Sequence, residues 1–520
     1  MPLFTLELGI ALNKSLDNID ITLSDLAGNP PLNILFASSE ATPLIKTGGL
    51  ADVAGSLPAA LRTPGHDCRL VLPAYPQAIE HADDLQQVAE LDIPGYLGRV
   101  RLLSGFSGPH GVPLYLVDAP YFFEREGNPY LTPEGYNWED NANRFGLFCK
   151  TIVEIGLDNA GLDWKPDLVH ANDWQTGLVP ALLSRHSDRP ATVFTIHNLA
   201  YQGLFDLETF DQLHLPAELW SPEGLEFQSQ LSFIKGGIAF ADRITTVSPT
   251  YAEEVQTPAF GYGLEGLLQH RSHNFSGILN GIDYHEWDPA SDPNTVAPFT
   301  ADSFEKKAEN KLALQREFGL PEDEHIQLFG YIGRLVEQKG VDLILQILPG
   351  IMDSGAQVVL LGSGNPELEQ ALKKISSKYH SRVGVYIGYD EGLAHRIEAG
   401  CDCFLMPSRF EPCGLNQIYS LRYGTIPIVR RTGGLADTVV DVNPHTLADG
   451  SATGFLFDNA NGAGLWGAVE RAIDFYHRPE VEWCILATTG MRQDLSWETS
   501  GKHYLDLYQD AITSPFTPSV

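Results

Sequence analysis

Two basic side chains in one short segment are the first candidates for chemistry. Arg334 and Lys339 lie in the sequence GRLVEQKG, which directly follows the apolar run QLFGYI. Ligands of open α/β sheets bind at the loops after the carboxyl ends of the strands, so both cations are predicted to face a binding site. A guanidinium and an ammonium together can neutralise a diphosphate leaving group as charge develops on it. The alternative is a structural ion pair with Glu337.

Glycine pairs that open helices are the second candidates. Residues 46–52 read KTGGLAD, and TGGLAD recurs at residues 432–437. A glycine turn at the start of a helix leaves backbone N–H groups free at the positive end of the helix dipole, and this arrangement binds phosphate. Alternatively, either pair only supplies the positive φ of a turn. The residues predicted to bind phosphate or sugar in the first copy are Lys46, Gly48, Gly49 and Asp52.

Acidic and histidine residues at the ends of other apolar runs indicate a sugar site. Glu411 precedes a proline and is therefore held in extended backbone, where its carboxylate either orients a sugar hydroxyl or caps the next helix. Asp173 and His197 each follow a short strand-like run, DLVH and TVFTI. We expect the two segments to line one cleft, with Asp173 holding a sugar by hydrogen bonds. Cys413 has no base beside it and is interpreted as a packing residue.

Several kinds of site are disfavoured. The sequence has no CxxC or HExxH spacing for a metal and no GxxxxGK[ST] motif for a nucleoside triphosphate. The GSG at residues 362–364 is only half of a dinucleotide fingerprint, so a dehydrogenase is a remote alternative. We therefore predict neither a metal nor a cofactor.

Composition limits the partners and the compartment. The chain has 520 residues and a formal net charge of −33, which disfavours nucleic acids and anionic membranes. No apolar run is long enough to span a bilayer, and the first residues lack the pattern of a secretory signal. The 6 cysteines are scattered, as is typical of a reducing compartment. We expect a cytoplasmic protein with no membrane or nucleic-acid partner.

The elements that position these residues alternate between strands and helices, which predicts parallel sheets covered by helices. A boundary between two α/β domains is predicted near residues 275–288, and the last helix, 497–510, could pack on either domain. The predicted strands are 32–38, 69–72, 113–117, 167–170, 192–196, 244–247, 327–332, 357–361, 383–387, 403–406 and 426–429. The other predicted helices include 52–61, 141–155, 340–351 and 394–399.

These motifs together resemble those of the glycogen/starch synthase family of glucosyltransferases. The resemblance extends from about Pro31 to near Asp510. It departs from the commoner family pattern at Asn172 and Gln175, where histidines are frequent, and at Asn416, where a threonine is usual. The segments that carry it are KTGGL at 46–50, TIHNLAYQG at 195–203, VSPTYAEEV at 247–255, GRLVEQKG at 333–340, SRFEPCGL at 408–415 and RRTGGLADTV at 430–439.

The resemblance implies an α/β fold of GT-B architecture, with two Rossmann-like domains facing each other across a deep cleft. It divides the chain into a poorly ordered extension (1–31), an acceptor-side domain (32–275), a donor-side domain (276–496) and a C-terminal helix that returns to the first domain (497–520). It implies transfer of glucose from ADP-glucose to the non-reducing 4-hydroxyl of an α-1,4-glucan such as glycogen, with retention at the anomeric carbon and without a metal.

Roles for individual residues also follow from the resemblance. Arg334 and Lys339 are implied to stabilise the departing diphosphate, and Glu411 to orient the glucosyl hydroxyls. His197 is implied to lie beside the anomeric centre, and Tyr389 against the adenine. The other positions implied to contact donor or substrate are Lys46, Gly48, Gly49, Asp52, Asp173, Asn198, Asn280, Gly333, Cys413, Gly414 and Leu415.

Two rival functions stay open at the level of sequence. One is a transferase of the same architecture that uses UDP-glucose or another acceptor. The other is a non-catalytic glucan-binding protein, which is disfavoured because a binder has no need of cations at a leaving group. The oligomeric state is not predicted.

Overall fold

The structure of the chain is a computed structural model that describes residues 30–517. The predicted N-terminal extension, residues 1–31, lies outside the described residues except for its last two positions. Among residues 30–517, no helix combines the length and the apolar character that a membrane span requires.

The strands of the described chain form a mostly parallel sheet, a wholly parallel sheet and a small antiparallel one. In chain order the strands are β1 (Asn33–Ala37), β2 (Asp67–Pro73), β3 (Asp83–Asp92), β4 (Arg99–Ser107), β5 (Val112–Asp118), β6 (Leu168–Asn172), β7 (Ala191–Ile196), β8 (Leu204–Phe205), β9 (Glu226–Phe227), β10 (Gln230–Ser232), β11 (Arg243–Thr246), β12 (Phe275–Gly277), β13 (Leu328–Ile332), β14 (Gln357–Gly362), β15 (Val383–Ile387), β16 (Cys403–Met406), β17 (Ile426–Arg430) and β18 (Phe455–Phe457).

Helices separate most of these strands. They are α1 (Gly49–Arg62), α2 (Pro76–His81), α3 (Pro120–Phe123), α4 (Asn141–Gly156), α5 (Leu178–Leu183), α6 (Leu207–Gln212), α7 (Phe233–Phe240), α8 (Pro249–Glu254), α9 (Glu265–His270), α10 (Lys307–Glu317), α11 (Val341–Asp353), α12 (Pro366–Lys378), α13 (Glu391–Gly400), α14 (Asn416–Arg422), α15 (Gly433–Thr438), α16 (Pro444–Ala448), α17 (Gly462–Tyr476), α18 (Glu480–Met491) and α19 (Trp497–Thr513). Short 3₁₀ turns lie at Trp174–Thr176, Ala217–Leu219, Ser272–Asn274, Phe304–Lys306 and Glu337–Lys339.

The larger sheet has nine strands in the order β12-β11-β7-β6-β1-β2-β5-β4-β3. All neighbours pair in parallel except β3 with β4 and β4 with β5, which are antiparallel. The strand order reverses between β1 and β6, which pair directly. In open α/β sheets such a reversal leaves a crevice at the carboxyl ends of the two strands, and this is where ligands bind. The loops that follow β1 and β6 carry Lys46 and Asp173.

The second sheet has six parallel strands in the order β15-β14-β13-β16-β17-β18. This is the 3-2-1-4-5-6 order of a dinucleotide-binding fold, with its reversal between β13 and β16. The loops that follow these two strands carry Lys339 and Glu411. Both sheets therefore bring the sequence-predicted residues to a topological crevice.

The last helix, α19, completes the core of the larger sheet. Its residues Trp497, Tyr504, Tyr508 and Ala511 are buried in the same hydrophobic cluster as β1 and β6. The Tyr508 hydroxyl lies 2.7 Å from Nδ1 of His170, whose Nε2 lies 2.6 Å from Oγ1 of Thr195. His170 is thus fully engaged inside the core and does not face a cleft.

Candidate active site

The crevice of the second sheet is built around an ion pair. Nζ of Lys339 lies 2.5 Å from Oε2 of Glu411, and the Glu411 side chain is only 8% exposed. The same carboxylate oxygen accepts a hydrogen bond from Oγ of Ser408 at 3.0 Å. The two residues predicted to act on a leaving group and on a sugar are therefore held in one small polar cluster.

Further contacts fix the two loops of this crevice to each other. The guanidinium of Arg409 makes a bidentate pair with Asp342, with both N–O distances 2.8 Å. The backbone N–H of Arg409 also donates to the carbonyl of Gln338 at 2.7 Å. Gly340 has a φ of +72°, and a Cβ at this position would overlap the carbonyl oxygen of Pro407. The loop of Lys339 can approach the loop of Glu411 this closely because residue 340 is glycine.

Arg334 and Tyr389 stand apart from that cluster. Arg334 is exposed at the carboxyl end of β13, and within residues 30–517 no carboxylate lies within ion-pair distance of its guanidinium. Its own carbonyl accepts from the Tyr331 hydroxyl at 3.1 Å. Tyr389 follows β15 at the same end of the sheet and is 73% exposed. A cation and an aromatic ring are thus available for a nucleotide at this edge.

The glycine turn after β1 is organised by a residue that sequence reasoning missed, Glu40. Its Oε2 accepts the backbone N–H of Thr47 at 2.5 Å, the Thr47 hydroxyl, and the backbone N–H of Gly48 at 3.2 Å. Burial raises the pKa of the Glu40 carboxyl even though these hydrogen bonds favour its ionised form. Part of the predicted anion-binding turn is therefore taken by an internal carboxylate. Gly49 remains exposed at the start of α1.

Lys46 lies among acidic groups from both sides of the molecule. Its Nζ is 2.8 Å from Asp52 on α1 and 3.8 Å from Glu391 on α13 of the second sheet. Burial lowers the pKa of Lys46, but the nearby Asp52 and Glu391 outweigh it and the pKa is raised. One carboxylate oxygen of Glu286, one of Glu391 and one ring nitrogen of His395 lie within 4.8 Å of one another. The ammonium of Lys46 thus lies beside that acidic group.

The crevice of the first sheet holds Asp173, His197 and Asn172. Oδ1 of Asp173 accepts the backbone N–H of His197 at 2.8 Å, and burial raises the pKa of the Asp173 carboxyl to about 7. The amide nitrogen of Asn172 donates to the carbonyl of Ala37 at 3.0 Å, so its Oδ1, 2.9 Å from His197 Nε2, is the acceptor. His197 Nε2 is then the donor and carries the proton. Burial lowers the pKa of His197 to about 3, so the imidazole is uncharged at neutral pH.

Other predicted residues lie where the two sides meet. Gly49 is next to Leu415: a Cβ built on Gly49 would be 4.0 Å from its side chain. Cys413 is buried, and burial raises the pKa of its thiol to about 12, so the group stays protonated at neutral pH. Oδ1 of Asn280 is buried without a hydrogen-bond partner among the described residues. Gly333 directly follows β13 and precedes Arg334. Gly414 precedes Leu415 and has a φ of +74°. Asn198 donates its backbone N–H toward Asp173 Oδ1 at 3.4 Å.

The second copy of the glycine turn does not present a free anion site. Oε1 of Glu254, on α8, accepts the Thr432 hydroxyl at 2.8 Å and the backbone N–H of Gly433 at 3.1 Å. Neither interpretation of the sequence describes this turn in full: Gly433 has a φ of +45°, and its backbone N–H binds a carboxylate of the protein itself. Sequence reasoning missed Glu254 because it lies far from residue 432 along the chain.

The carboxyl ends of the two sheets meet near these groups, where Lys46 pairs with Glu391 and Gly49 adjoins Leu415. The second sheet contributes cations at the end of β13 and an aromatic ring after β15. The first sheet contributes a neutral histidine and a carboxyl with a raised pKa, both of which can hydrogen-bond a sugar. Fixed cations of this kind can stabilise negative charge on a phosphate, and neutral hydrogen-bonding groups can hold a hydroxylated ligand.

Comparisons with known proteins agree on one family. Residues 33–270 match the family model of the starch synthase catalytic domain, and residues 313–478 match glycosyl transferases group 1. The chain is 56% identical to a glycogen synthase from Thioalkalivibrio sulfidiphilus over 93% of this chain and 100% of that one. It is 54% identical to glycogen synthase 1 from Methylococcus capsulatus, over 92% and 97% of the two chains.

A solved structure matches over the same extent. The catalytic domain of starch synthase IV from Arabidopsis thaliana, bound to ADP and acarbose, superposes with a TM-score of 0.85 at 36% identity. The match covers 93% of this chain and 100% of that chain.

Proposed function

The chain belongs to the glycogen/starch synthase family of glucosyltransferases, and on that premise we propose that it transfers glucose from ADP-glucose to the 4-hydroxyl at the non-reducing end of an α-1,4-glucan. The configuration at the anomeric carbon is retained and ADP is released. In this proposal residues 32–275 bind the acceptor and residues 276–496 bind the donor. Residues 497–520 belong with the acceptor side.

The observation that carries the proposal is the cluster at the crevice of the second sheet. Lys339 lies 2.5 Å from Glu411, and Arg334 is exposed at the end of the same loop. In the proposed complex, the diphosphate of the donor binds both cations, and Glu411 is released toward the hydroxyls of the glucosyl unit. A chain with net charge −33 repels an anionic substrate, so local cations are required to bind it.

The proposed reaction needs little acid catalysis. The bond between the anomeric carbon and the phosphate oxygen breaks as Arg334 and Lys339 neutralise the charge that develops on the leaving diphosphate. A bond forms on the same face between the anomeric carbon and the acceptor 4-oxygen. The departing phosphate accepts the proton of that hydroxyl, so the products are an elongated glucan and protonated ADP, which loses the proton to solvent.

Residues of the first sheet hold the sugar and acceptor in this proposal. His197 is neutral, since burial lowers its pKa to about 3, and it therefore acts through hydrogen bonds rather than through charge. Asp173 lies beside it, with its Oδ1 2.8 Å from the His197 backbone nitrogen. Lys46 bridges the two sides and can exchange its contacts with Asp52 and Glu391 for contacts with the donor phosphates.

Two features support an adenine nucleotide and a reaction without a metal. Tyr389 offers an exposed ring for stacking on a base, and the similar plant structure was determined with ADP and acarbose bound. Arg334 and Lys339 supply the positive charge that a metal provides in many other phosphate-transfer sites. The buried free cysteines Cys68, Cys149, Cys401, Cys403 and Cys413 fit the cytoplasmic location that we propose.

An ADP-release assay with and without glycogen tests the proposal. We expect ADP-glucose with glycogen to give rapid release, UDP-glucose to give a much lower rate, and EDTA to have no effect. Proton NMR of the product should show only new α-1,4 linkages. If UDP-glucose were the better donor, the donor assignment would be wrong. Glucan binding without any nucleotide release would instead favour the non-catalytic alternative.

A further inference from the structure

Two short helices from opposite sides of the molecule cap each other. Helix α8 follows a strand of the larger sheet, and α15 follows a strand of the second sheet. Glu254, at the end of α8, accepts hydrogen bonds from Thr432 Oγ1 and from the backbone N–H of Gly433 at the start of α15. Asp437, near the end of α15, accepts the backbone N–H of Thr250 at 3.0 Å and its hydroxyl at 2.7 Å at the start of α8.

This arrangement is reciprocal and requires the two helices to run antiparallel. Each helix places a carboxylate on the positive N-terminal end of the other, where backbone N–H groups have no partner within their own helix. Charge-assisted hydrogen bonds of this kind are stronger than those between neutral groups. We call these four residues, Thr250, Glu254, Thr432 and Asp437, the reciprocal cap.

The reciprocal cap adjoins the backbone of the Glu411 loop. The carbonyl of Pro412 accepts from Oγ of Ser248 at 2.7 Å, on the first side, and from the backbone N–H of Gly434 at 3.1 Å, on the second side. A Cβ on Gly433 would overlap the carbonyl oxygen of Glu411. The peptide that holds the Glu411 carboxylate is therefore fixed between the start of α8 and the start of α15.

The contact is specific to Glu254 and is partly buried. Oε2 of Glu254 is buried without a hydrogen-bond partner among the described residues, which costs free energy. A neighbouring carboxylate, Glu253, is exposed on the same helix and makes no such cross-contact in the described chain. Burial also raises the pKa of Glu254, although the bonds from Thr432 and Gly433 oppose that shift.

We propose that Glu254 and Asp437 are positioning residues, which set the placement of the two sheets and thereby the orientation of Glu411 toward the donor sugar. The inference rests on the proposed role of Glu411 in glucosyl transfer. Neither residue is among those that the proposed function assigns to donor or acceptor. Of the proposed donor contacts, Arg334, Lys339 and Tyr389 lie on the second side and Lys46 lies on the first, so weakening the cap should lower transfer while most of the contacts to ADP stay intact.

The test compares Glu254→Gln, Asp437→Asn and the double variant with Glu253→Gln, which removes the same charge one residue away. We expect the double variant to lower kcat for transfer from ADP-glucose to glycogen by about tenfold. The dissociation constant of ADP, measured by calorimetry, should stay within twofold of the wild type. The fraction of ADP released without glucan should rise, because a misplaced acceptor side lets water reach the donor. Glu253→Gln should match the wild type throughout.

Three results would overturn the inference: a fall in kcat of less than threefold in the double variant, a parallel loss of ADP binding, or the same loss in Glu253→Gln. Small-angle X-ray scattering separates this inference from the proposed function. If the wild type released no ADP at all, the proposed function would fail, yet a broader distance distribution in the double variant would still show that the cap fixes the two sides. An unchanged distribution would refute the cap as well.

Discussion

Replacing Lys339 by alanine removes the cation that the structure places 2.5 Å from Glu411. The Lys339 side chain is 21% exposed, so solvent only partly screens its charge. Loss of one fixed group that stabilises transition-state charge typically lowers kcat by about 10²–10³-fold, or roughly 2.7–4 kcal/mol. We expect Lys339→Ala to lower kcat by at least about 100-fold.

The same substitution has a separate effect on stability. It leaves the carboxylate of Glu411, which is 8% exposed, with the Ser408 hydroxyl at 3.0 Å as its remaining side-chain partner. An exposed ion pair contributes about 0–1 kcal/mol, and breaking a fully buried pair costs about 3–5 kcal/mol. This pair is largely but not fully buried, so its cost should fall between those limits, nearer the upper one. Adding Glu411→Gln to Lys339→Ala should recover much of the lost stability and none of the activity.

The assay is steady-state ADP release with glycogen, accompanied by thermal unfolding and ADP calorimetry on the same preparations. Lys374→Ala, an exposed lysine on α12, is the matched control. Lys339→Arg, which keeps the charge, should retain more activity than the alanine variant. A kcat within threefold of wild type in Lys339→Ala, with folding intact, would refute the leaving-group role.

Three further predictions concern other parts of the cleft. Tyr389→Ala should raise KM for ADP-glucose about tenfold, because base stacking contributes roughly 1–3 kcal/mol. The kcat of this variant should stay near that of the wild type, and Tyr389→Phe should have a KM like that of the wild type. An unchanged KM in Tyr389→Ala would exclude stacking. The pKa of Asp173 is raised from 3.8 to about 7, so its contribution to folding is present below about pH 4 and is lost as pH rises toward 7. The melting temperature of Asp173→Asn relative to wild type should therefore increase from pH 4 to pH 7 and then level off, and a pH-independent difference would contradict the shift. Gly434→Ala should abolish transfer, because its Cβ would overlap the Cys413 carbonyl oxygen, whereas Gly266→Ala, which meets open space, should be neutral in the same ADP-release assay.

The parallel strands were predictable because buried strands are continuous runs of apolar residues. Each predicted strand is present, with ends shifted by at most two residues, as for the run at 32–38, observed as Asn33–Ala37. The predicted α/β architecture of two facing Rossmann-like domains is confirmed by the sheets and by the solved starch synthase structure. The order of the strands and its reversals were not predicted; only the placement of Arg334 and Lys339 on a loop at the carboxyl end of a strand was.

The antiparallel edge of the larger sheet was not predicted. Strands β3 and β4 lie at that edge, and most of β3 is exposed. Their many polar residues therefore interrupt the continuous apolar run by which the buried strands were recognised. Strand β18 has only three residues, Phe455–Phe457, and was too short to recognise.

The contacts that the site residues make with one another could not be predicted from the sequence either. Lys339 and Glu411 are 72 positions apart, and neither residue type nor spacing indicates that they pair. Glu40 is close to Lys46 in sequence, yet its role depends on a loop that turns back onto Thr47 and Gly48. Glu254 and Gly433 lie 179 positions apart and come together only when the two sheets are assembled.

Helix α19 has a consequence for how the protein is made. Its tyrosines cover β6 and His170, so the larger sheet lacks part of its hydrophobic covering until residues 497–513 have left the ribosome. At about 5–20 residues per second, translation of the intervening chain takes on the order of tens of seconds. During that interval the nascent larger sheet exposes an apolar surface that chaperones can bind, and this surface is covered only once α19 has been made.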